Sequence, residues 1–239
     1  MCYFRIKKNV LYFLRRLKGD KQIYEQDVMK YLKGVRYPAI LEAGAADGYN
    51  TLRFAKIFPH ATIYAFEPVS KNFNRLKNAV SKLSNVKIFN FALGDFDGTS
   101  EINISTTKNR PDSVAASSSL LKPALHSTLY PDIDFEEKET VTVRTIDSWA
   151  SEYNVEKIDV MWLDMQGYEY RALKASPRIL ATVKVIYCEV SLKYVYEDSC
   201  LYDELKEWLI SMGFKIAMTE IDGDVSGNVL FVRNAMPER

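Results

Sequence analysis

Residues 39–51 read AILEAGAADGYNT, and this stretch decides the expected fold. An apolar run ends at Glu42, a turn rich in Gly and Ala follows, and apolar residues then recur at helical spacing up to residue 58. The pattern predicts a buried strand, a tight loop and an amphipathic helix. Gly44 and Gly48 can adopt positive φ and let a ligand lie against the backbone, while the free N–H groups of the helix point to the same place. The loop is a candidate site for a small, partly charged ligand. The alternative is a loop that serves only packing, and the loop lacks the GxGxxG spacing of a dinucleotide site.

A second apolar stretch, residues 61–66, ends at Glu67 and Pro68, and Glu67 follows Glu42 by 25 residues. In a βαβ unit, a carboxylate at the end of the second strand can accept hydrogen bonds from both ribose hydroxyls of a nucleoside. Two acids at one crevice would repel a pyrophosphate and would favour a nucleoside that carries positive charge. S-adenosylmethionine, with a sulfonium and an ammonium group, is such a ligand.

Two later predicted strands also end near acids. Residues 158–163 form an apolar run that stops at Asp164, and the predicted strand 183–190 has Glu189 near its end. Ligands of an open parallel sheet lie outside the carboxyl ends of its strands. We therefore expect four acids along one edge of one sheet: Glu42, Glu67, Asp164 and Glu189.

The rest of the chain alternates between predicted strands and helices. Ser70 is a candidate N-cap for the helix after Glu67, and Asp147 is one for a short helix at Trp149. Residues 92–98 carry an Asp-Gly turn signal that predicts a hairpin, and backbone near Ala92 would lie over the crevice, where an adenine ring would stack. Later predicted elements are a helix through Leu173 and Leu180, a helix over 202–212, and strands over 86–91, 100–105, 139–146, 214–218 and 228–232.

This order predicts an α/β protein with a seven-stranded, mostly parallel sheet, an antiparallel closing hairpin and helices on both faces. It is the outline of the Rossmann-like class I methyltransferase fold. With 239 residues, of which 47% are hydrophobic, the chain is long enough for one large domain. We assign residues 37–239 to that domain and residues 1–36 to an N-terminal helical extension, whose second helix covers residues 21–33.

Charge and cysteine content argue against several classes of protein. The net charge of +1 and the scattered Lys and Arg residues do not indicate binding of nucleic acid. The cysteines, Cys2, Cys188 and Cys200, are odd in number and lack zinc spacing, so a reducing, cytoplasmic setting is expected. Residues 1–20 mix apolar and basic residues and are too interrupted for a membrane span or a signal peptide. Such a helix can cover the edge of the domain, pair with a second subunit in a homodimer, or lie peripherally on an anionic membrane.

Periodicity disappears over residues 106–138, where Ser, Thr, Pro, Asp and Asn dominate. A loop of that length in a compact domain is a lid or a substrate-facing segment, or else it is disordered. His126 lies in this loop and is a candidate base, although a single loop His is commonly a surface residue. The other histidine, His60, follows Pro59 ahead of the second strand, where turn structure explains it.

Six motifs in this order resemble the FkbM family of S-adenosylmethionine-dependent methyltransferases. They are GAADGYNT at 44–51, AFEP at 65–68, FALGD at 91–95, TIDSWA at 145–150, IDVMWLDMQGYE at 158–169 and the acid-ended strand at Glu189. The resemblance covers roughly residues 40–232. Members of the family are mainly O-methyltransferases, and many act on sugars of natural products or surface glycans. The chain departs from the usual pattern at Glu42, Ala46 and Gln166, where the family has Asp, Asn and an acid.

The resemblance implies methyl transfer from S-adenosylmethionine to a hydroxyl of a sugar or glycan. A sugar hydroxyl is a weak nucleophile, so a base or a metal should assist. Asp164 is the first candidate for the base, with His126 and Glu189 as alternates. Similar O-methyltransferases hold a divalent ion on acids that Asp164 and Glu189 match, so Mg²⁺ on these two is an alternative to a metal-free site. The implied cofactor contacts are Glu42, Gly44, Ala45, Asp47, Gly48, Asn50, Thr51, Glu67, Pro68, Ala92 and Asp164.

Two other classes of function stay open at this point. A nicotinamide-dependent oxidoreductase would use a similar sheet, although GAADG lacks the GxGxxG spacing. A catalytically silent protein could keep the cofactor fold only to bind another protein or a glycan, which would account for the departures at Ala46 and Gln166.

Overall fold

The computed structural model describes residues 22–221 and 223–234. Cys2 and most of the predicted N-terminal extension, residues 1–21, lie outside the described residues, so its proposed contacts with a membrane or a second subunit stay predictions. Within the described part, no helix combines the length and the apolar character that crossing a membrane requires.

The helices are α1 (Glu25–Val28), followed by a 3-10 turn (Met29–Tyr31), α2 (Tyr49–Ile57), α3 (Ser70–Val80), α4 (His126–Leu129), α5 (Ile146–Glu152), α6 (Glu169–Lys174), α7 (Pro177–Leu180) and α8 (Tyr202–Ser211). The strands are β1 (Ala39–Ala43), β2 (Thr62–Phe66), β3 (Val86–Phe89), β4 (Ala92–Leu93), β5 (Gly98–Thr107), β6 (Ile133–Arg144), β7 (Val160–Leu163), β8 (Val185–Ser191), β9 (Phe214–Ile221) and β10 (Ser226–Arg233).

The main sheet has seven strands in the order β3-β2-β1-β7-β8-β10-β9. Neighbours among the first five strands pair in parallel, while β10 is antiparallel to both β8 and β9. Ala43, the last residue of β1, is in register with Phe66 of β2 and Leu163 of β7. The strand order reverses direction at β1, and this is the point where ligands of open α/β sheets bind. The predicted fold is confirmed.

Both faces of the main sheet are covered by helices. Successive strand residues point to opposite sides, so the apolar residues of β1 leave the sheet on both faces and need cover on each. Leu41 of β1 packs in one cluster with Trp149 of α5 and with residues of α6, α7 and α8. Ile40 packs in another cluster with Phe54 of α2 and with residues of α1. Strands buried on both faces read as continuous apolar runs, which is why β1, β2 and β7 are recognisable in the sequence.

A second, three-stranded sheet in the order β4-β6-β5 was not predicted. The expected hairpin after residue 98 is wrong, because β5 pairs antiparallel with β6, whose residues come much later in the chain, and β4 joins β6 in parallel. The predicted loop over residues 106–138 is shorter than expected, since β6 begins at Ile133. Most side chains in the first half of β6 are partly or fully exposed, so no buried stripe marks this part of the strand in the sequence.

Two predicted helix caps lie elsewhere. Ser70 is the first residue of α3, and Val69 occupies the N-cap position. The cap of α5 is Thr145, whose hydroxyl accepts a hydrogen bond from the Ser148 N–H at 3.1 Å. The Asp147 carboxylate instead accepts from the N–H groups of residues 178 and 179, at 2.9 and 2.8 Å, at the start of α7. The predicted single helix through Leu180 is interrupted ahead of α7, where a proline in the first position cannot continue the hydrogen bonds of α6.

Candidate active site

A cleft of about 840 Å³ opens at the carboxyl ends of β1, β2 and β7. We call it the first cleft. It lies where the strand order predicts a ligand, and it is also bordered by the second sheet and by the segment that follows β5. The predicted cofactor contacts that line it are Gly44, Ala45, Asp47, Asn50, Glu67, Pro68, Ala92 and Asp164.

The glycine loop is held tightly against its two neighbouring strands. The N–H groups of Gly44 and Ala45 donate to the Phe66 carbonyl at 3.0 and 2.9 Å. Gly44 has φ +83°, and a Cβ added there would lie 1.9 Å from the backbone oxygen of Asp164. Only glycine combines this backbone conformation with so close an approach, so Gly44 brings the β1 loop against the end of β7.

Glu67 lies on the wall of the first cleft and is 4% exposed. Its carboxylate accepts from the N–H groups of Ala46 at 2.8 Å and Val69 at 2.9 Å, and from the Asn72 amide at 3.4 Å. Burial raises its pKa to about 7, and the two backbone hydrogen bonds oppose this rise. Asn72 was missed by the sequence analysis, since a polar residue in the first turn of a helix carries no signal of its own.

Three predicted cofactor contacts lie beneath the loop and do not line the first cleft, namely Glu42, Gly48 and Thr51. Glu42 is 1% exposed and its carboxyl accepts a hydrogen bond from the Thr51 hydroxyl at 2.6 Å. Burial raises the pKa of Glu42 to about 8. Gly48 packs against Leu76 of α3, where an added Cβ would lie 2.9 Å from that side chain. Glu42 is buried because the alternation of β1 points its side chain into the core, and Thr51 of α2 lies at hydrogen-bond distance from it.

A second cleft, of about 730 Å³, adjoins the first. The two clefts share Ala116, Asp164 and Gln166. The second cleft also contains His126 and Glu189, which the sequence analysis proposed as alternates for the base. The candidate base residues are therefore gathered in one place, although they come from three distant parts of the chain.

His126 is buried rather than exposed on a surface loop, with 3% of its area accessible. Its ring centroid lies 4.8 Å from that of Tyr130, 4.9 Å from that of Phe135 and 5.4 Å from that of Tyr196. Burial lowers the pKa of His126, which favours the neutral imidazole. Among the described residues, its Nδ1 atom has no hydrogen-bond partner.

Gln166 connects the two acids at the junction of the clefts. Its amide nitrogen donates to Asp164 Oδ1 and to Glu189 Oε2, both at 2.7 Å, and its Oε1 lies 2.9 Å from the Tyr196 hydroxyl. Burial raises the pKa of Asp164, and burial together with the Asp164 charge raises that of Glu189 well above its ordinary value. The two raised pKa values favour a proton on at least one of the two carboxyl groups. The roles of Gln166 and Tyr196 were missed, because no local pattern indicates which distant side chains an amide will contact.

The predicted Mg²⁺ ligands, Asp164 and Glu189, do not form a site suited to a metal. Mg²⁺ requires several oxygen ligands in near-octahedral geometry. The Gln166 amide nitrogen, a donor, lies 2.7 Å from both carboxylates, where a shared cation would need acceptors. Within residues 22–221 and 223–234, no group of three or more His, Cys, Asp or Glu side chains could hold a metal ion.

Comparison with known proteins places this architecture in a family. The family model described as the Methyltransferase FkbM domain matches residues 42–216. The chain is 29% identical over 160 residues to the 2-O-methyltransferase NoeI of Sinorhizobium fredii (strain NBRC 101917 / NGR234), a match that covers 67% of this chain and 66% of NoeI.

Among solved structures, the chain resembles one in a crystal structure of a fibrillarin/Nop5p complex. The TM-score is 0.50 at 17% identity, over 86% of this chain and 79% of that one. At this level of identity the likeness concerns the fold alone. The family match covers most strands of the main sheet, the first cleft and all of the second cleft except Ser226, and it shows that the chain belongs to the FkbM family of methyltransferases.

Proposed function

We propose that this protein is an S-adenosylmethionine-dependent O-methyltransferase that methylates a hydroxyl of a sugar or glycan. The observation that carries the proposal is an acidic cleft beside the glycine loop that opens onto a second cleft at Asp164 and Gln166. One cleft would take the methyl donor and the other the acceptor. The similarity to a protein named as a 2-O-methyltransferase supports a hydroxyl as the acceptor group.

The residues of the first cleft fit a cationic nucleoside. Its described lining contains Asp47, Glu67 and Asp164 and no Lys or Arg. These residues line the cleft, where Glu67 would accept hydrogen bonds from the ribose hydroxyls, Phe91 and Ala92 would border the adenine ring, and Asp47 and Asp164 would favour the positive groups. A pyrophosphate near the same acids would be repelled, since two like charges 4 Å apart interact by about 4 kcal/mol at a protein surface. The charge of the cleft therefore disfavours a nicotinamide dinucleotide.

The bound donor would supply a methyl group that is electrophilic because it is attached to a sulfonium. The chain's own contribution is to align the acceptor, to exclude water and to take up the hydroxyl proton. Alignment of two reactants can contribute on the order of 7 kcal/mol. Asp164 is the first candidate for the proton acceptor because it lines both clefts, and Glu189 and His126 are alternates in the second cleft.

Thermal unfolding with S-adenosylhomocysteine tests the cofactor. At about 100 times its dissociation constant, a ligand of the folded state raises the free energy of unfolding by about 2.7 kcal/mol. For a chain of this size, that corresponds to an increase of roughly 5–10 °C in the midpoint. NADH at the same concentration serves as the control and should give no shift. Stabilisation by NADH, with none by S-adenosylhomocysteine, would overturn the proposal.

Asp164→Asn tests the assignment of the base. The substitution keeps the shape of the side chain and S-adenosylhomocysteine lacks the sulfonium charge, so this ligand should still stabilise the protein. Loss of a positioned proton acceptor lowers turnover by roughly 100-fold or more. Asp112→Asn, at a fully exposed position, is the matched control. Unchanged turnover of Asp164→Asn would remove Asp164 from the role of base.

A further inference from the structure

One wall of the first cleft is a segment between β5 and β6 that belongs to no helix or strand of the described structure. It covers residues 113–120, and we call it the cover segment. An isolated bridge between Asn103 and Ser119 holds its far end. Because no strand ladder fixes its beginning, individual hydrogen bonds to the backbone decide where that part lies. Five of its residues line the cleft, namely Ala115, Ala116, Ser118, Ser119 and Leu120.

Asn72, in the first turn of α3, connects the cover segment to Glu67. Its Nδ2 atom donates to the Ala115 carbonyl at 3.3 Å, and its Oδ1 atom accepts from the Ala115 N–H at 3.2 Å. The same Nδ2 atom also donates to Glu67 Oε1, at 3.4 Å. Both amide hydrogens and the carbonyl oxygen are therefore used, and Asn72 is 1% exposed. One buried side chain thus holds the cover segment next to the acid of the cleft.

The link to Asn72 leaves part of the Glu67 carboxylate open to a ligand. Oε1 accepts from Asn72 and from the Val69 N–H, whereas Oε2 accepts from the Ala46 N–H. A carboxylate oxygen has about two acceptor positions, so Oε2 keeps one for a ligand. A hydrogen bond to a charged group is stronger where water is excluded, because the local dielectric constant is lower there. The place of the cover segment beside Glu67 therefore affects how strongly this carboxylate holds a hydroxyl.

We propose that Asn72 is a positioning residue for the methyl donor, which keeps the cover segment against Glu67 and so gives the first cleft a preference for ribose over 2′-deoxyribose. This inference rests on the proposed function. Asn72 is not part of the described lining of the cleft and acts through Glu67 and Ala115, both of which line it. Without the amide, both backbone groups of Ala115 lose their partner, and water can compete with the ribose at Glu67.

The test compares the affinities of the full chain for S-adenosylhomocysteine and for its 2′-deoxy analogue by calorimetric titration. The wild type should bind the ribose form about tenfold or more tightly than the 2′-deoxy form. Asn72→Leu fills a similar volume without hydrogen-bonding groups, so its preference should fall to about threefold or less. A merely structural role of Asn72 would weaken both ligands equally and leave the ratio of affinities unchanged, and that result would overturn the inference.

Two variants of the same helix are matched controls. Asn74→Leu makes the same change at an exposed position. Arg75→Met removes a hydrogen bond to the Asp112 carbonyl, just ahead of the cover segment, and that bond involves neither Ala115 nor Glu67. Both variants should keep the ribose preference of the wild type. A preference lost in Arg75→Met to the same extent would assign the effect to the whole segment and would contradict the specific role of the amide.

The remaining outcomes separate this inference from the proposed function. If the wild type does not bind S-adenosylhomocysteine, the proposed function is refuted and the inference falls with it. If the wild type binds both ligands equally, Glu67 does not select ribose, and the inference alone is overturned. Asn72→Ser, whose side chain is too short to reach Ala115, should show the same reduced preference and provides the test if Asn72→Leu does not fold.

Discussion

Gln166→Met is expected to destabilise the fold by removing the donor that lies between two buried acids. The Gln166 amide nitrogen is 2.7 Å from both Asp164 and Glu189. Each hydrogen bond to a charged group contributes about 1.5–3 kcal/mol, and methionine has a similar length without the donor. Because the raised pKa values favour a proton on at least one of the acids, only one of the two bonds is taken at the strength of a bond to a charged group. We therefore expect the free energy of unfolding to fall by about 3 kcal/mol, or roughly 6–12 °C in the midpoint.

The loss of stability caused by Gln166→Met should grow as pH rises, because of the pKa shifts of the two acids. Burial raises the pKa of Asp164 and of Glu189, so above about pH 4 the folded state binds more protons than the unfolded chain. Stability accordingly falls as pH rises through the folded pKa values. The Gln166 hydrogen bond lowers the pKa of Asp164, and its removal extends the fall to higher pH. Calorimetry should show a larger difference between variant and wild type at about pH 8 than at about pH 5.

Tyr196→Phe is the control for this prediction. It removes the hydroxyl that lies 2.9 Å from Gln166 Oε1 and leaves both amide donors in place. We expect a loss of about 1 kcal/mol that does not grow with pH. If Gln166→Met destabilises the protein by less than about 0.5 kcal/mol, or equally at both pH values, the amide does not hold the acidic pair.

Two further substitutions test the first cleft. Gly44→Ala should destabilise the fold by more than about 3 kcal/mol, because its Cβ would overlap the Asp164 carbonyl. Gly34→Ala is the control, because Gly34 has nearly the same φ and no atom lies within 4 Å of the added Cβ. It should lower the free energy of unfolding, measured by chemical denaturation, by only about 1 kcal/mol. Equal losses of stability in the two variants would refute the role of the close approach at Gly44. Glu67→Gln should weaken S-adenosylhomocysteine binding by about tenfold or more in calorimetric titration, since an amide cannot accept the same backbone hydrogen bonds with both of its atoms. Glu101→Gln, at an exposed site, should leave the affinity for S-adenosylhomocysteine unchanged. If it weakens binding as much as Glu67→Gln does, the loss is a general effect of charge.

The main sheet and its glycine loop were predictable because their signals are local. Each of β1, β2 and β7 is buried on both faces, so each reads as a short apolar run followed by a turn. The carboxyl ends of parallel strands meet at one edge, and this geometry brings Glu67 and Asp164 to the same cleft without further information.

The second sheet was not predictable from periodicity. Its long strands β5 and β6 leave many side chains accessible, so buried and exposed positions do not alternate cleanly along them. The pairing of β5 with β6 depends on contacts between residues far apart in the chain, and the turn signal over residues 92–98 favoured a closer partner.

The sequence by itself determined the class of fold, the glycine loop that borders the first cleft and the acids at the ends of the strands. Only the tertiary structure decided where each acid lies and which groups it contacts. Glu42 accepts from Thr51 away from the first cleft, Glu67 lines that cleft, and Glu189 shares the Gln166 amide donor with Asp164. The physical reason is that a strand's hydrophobic pattern specifies where a side chain leaves the backbone, whereas its burial, its pKa and its partners depend on elements that meet only after folding.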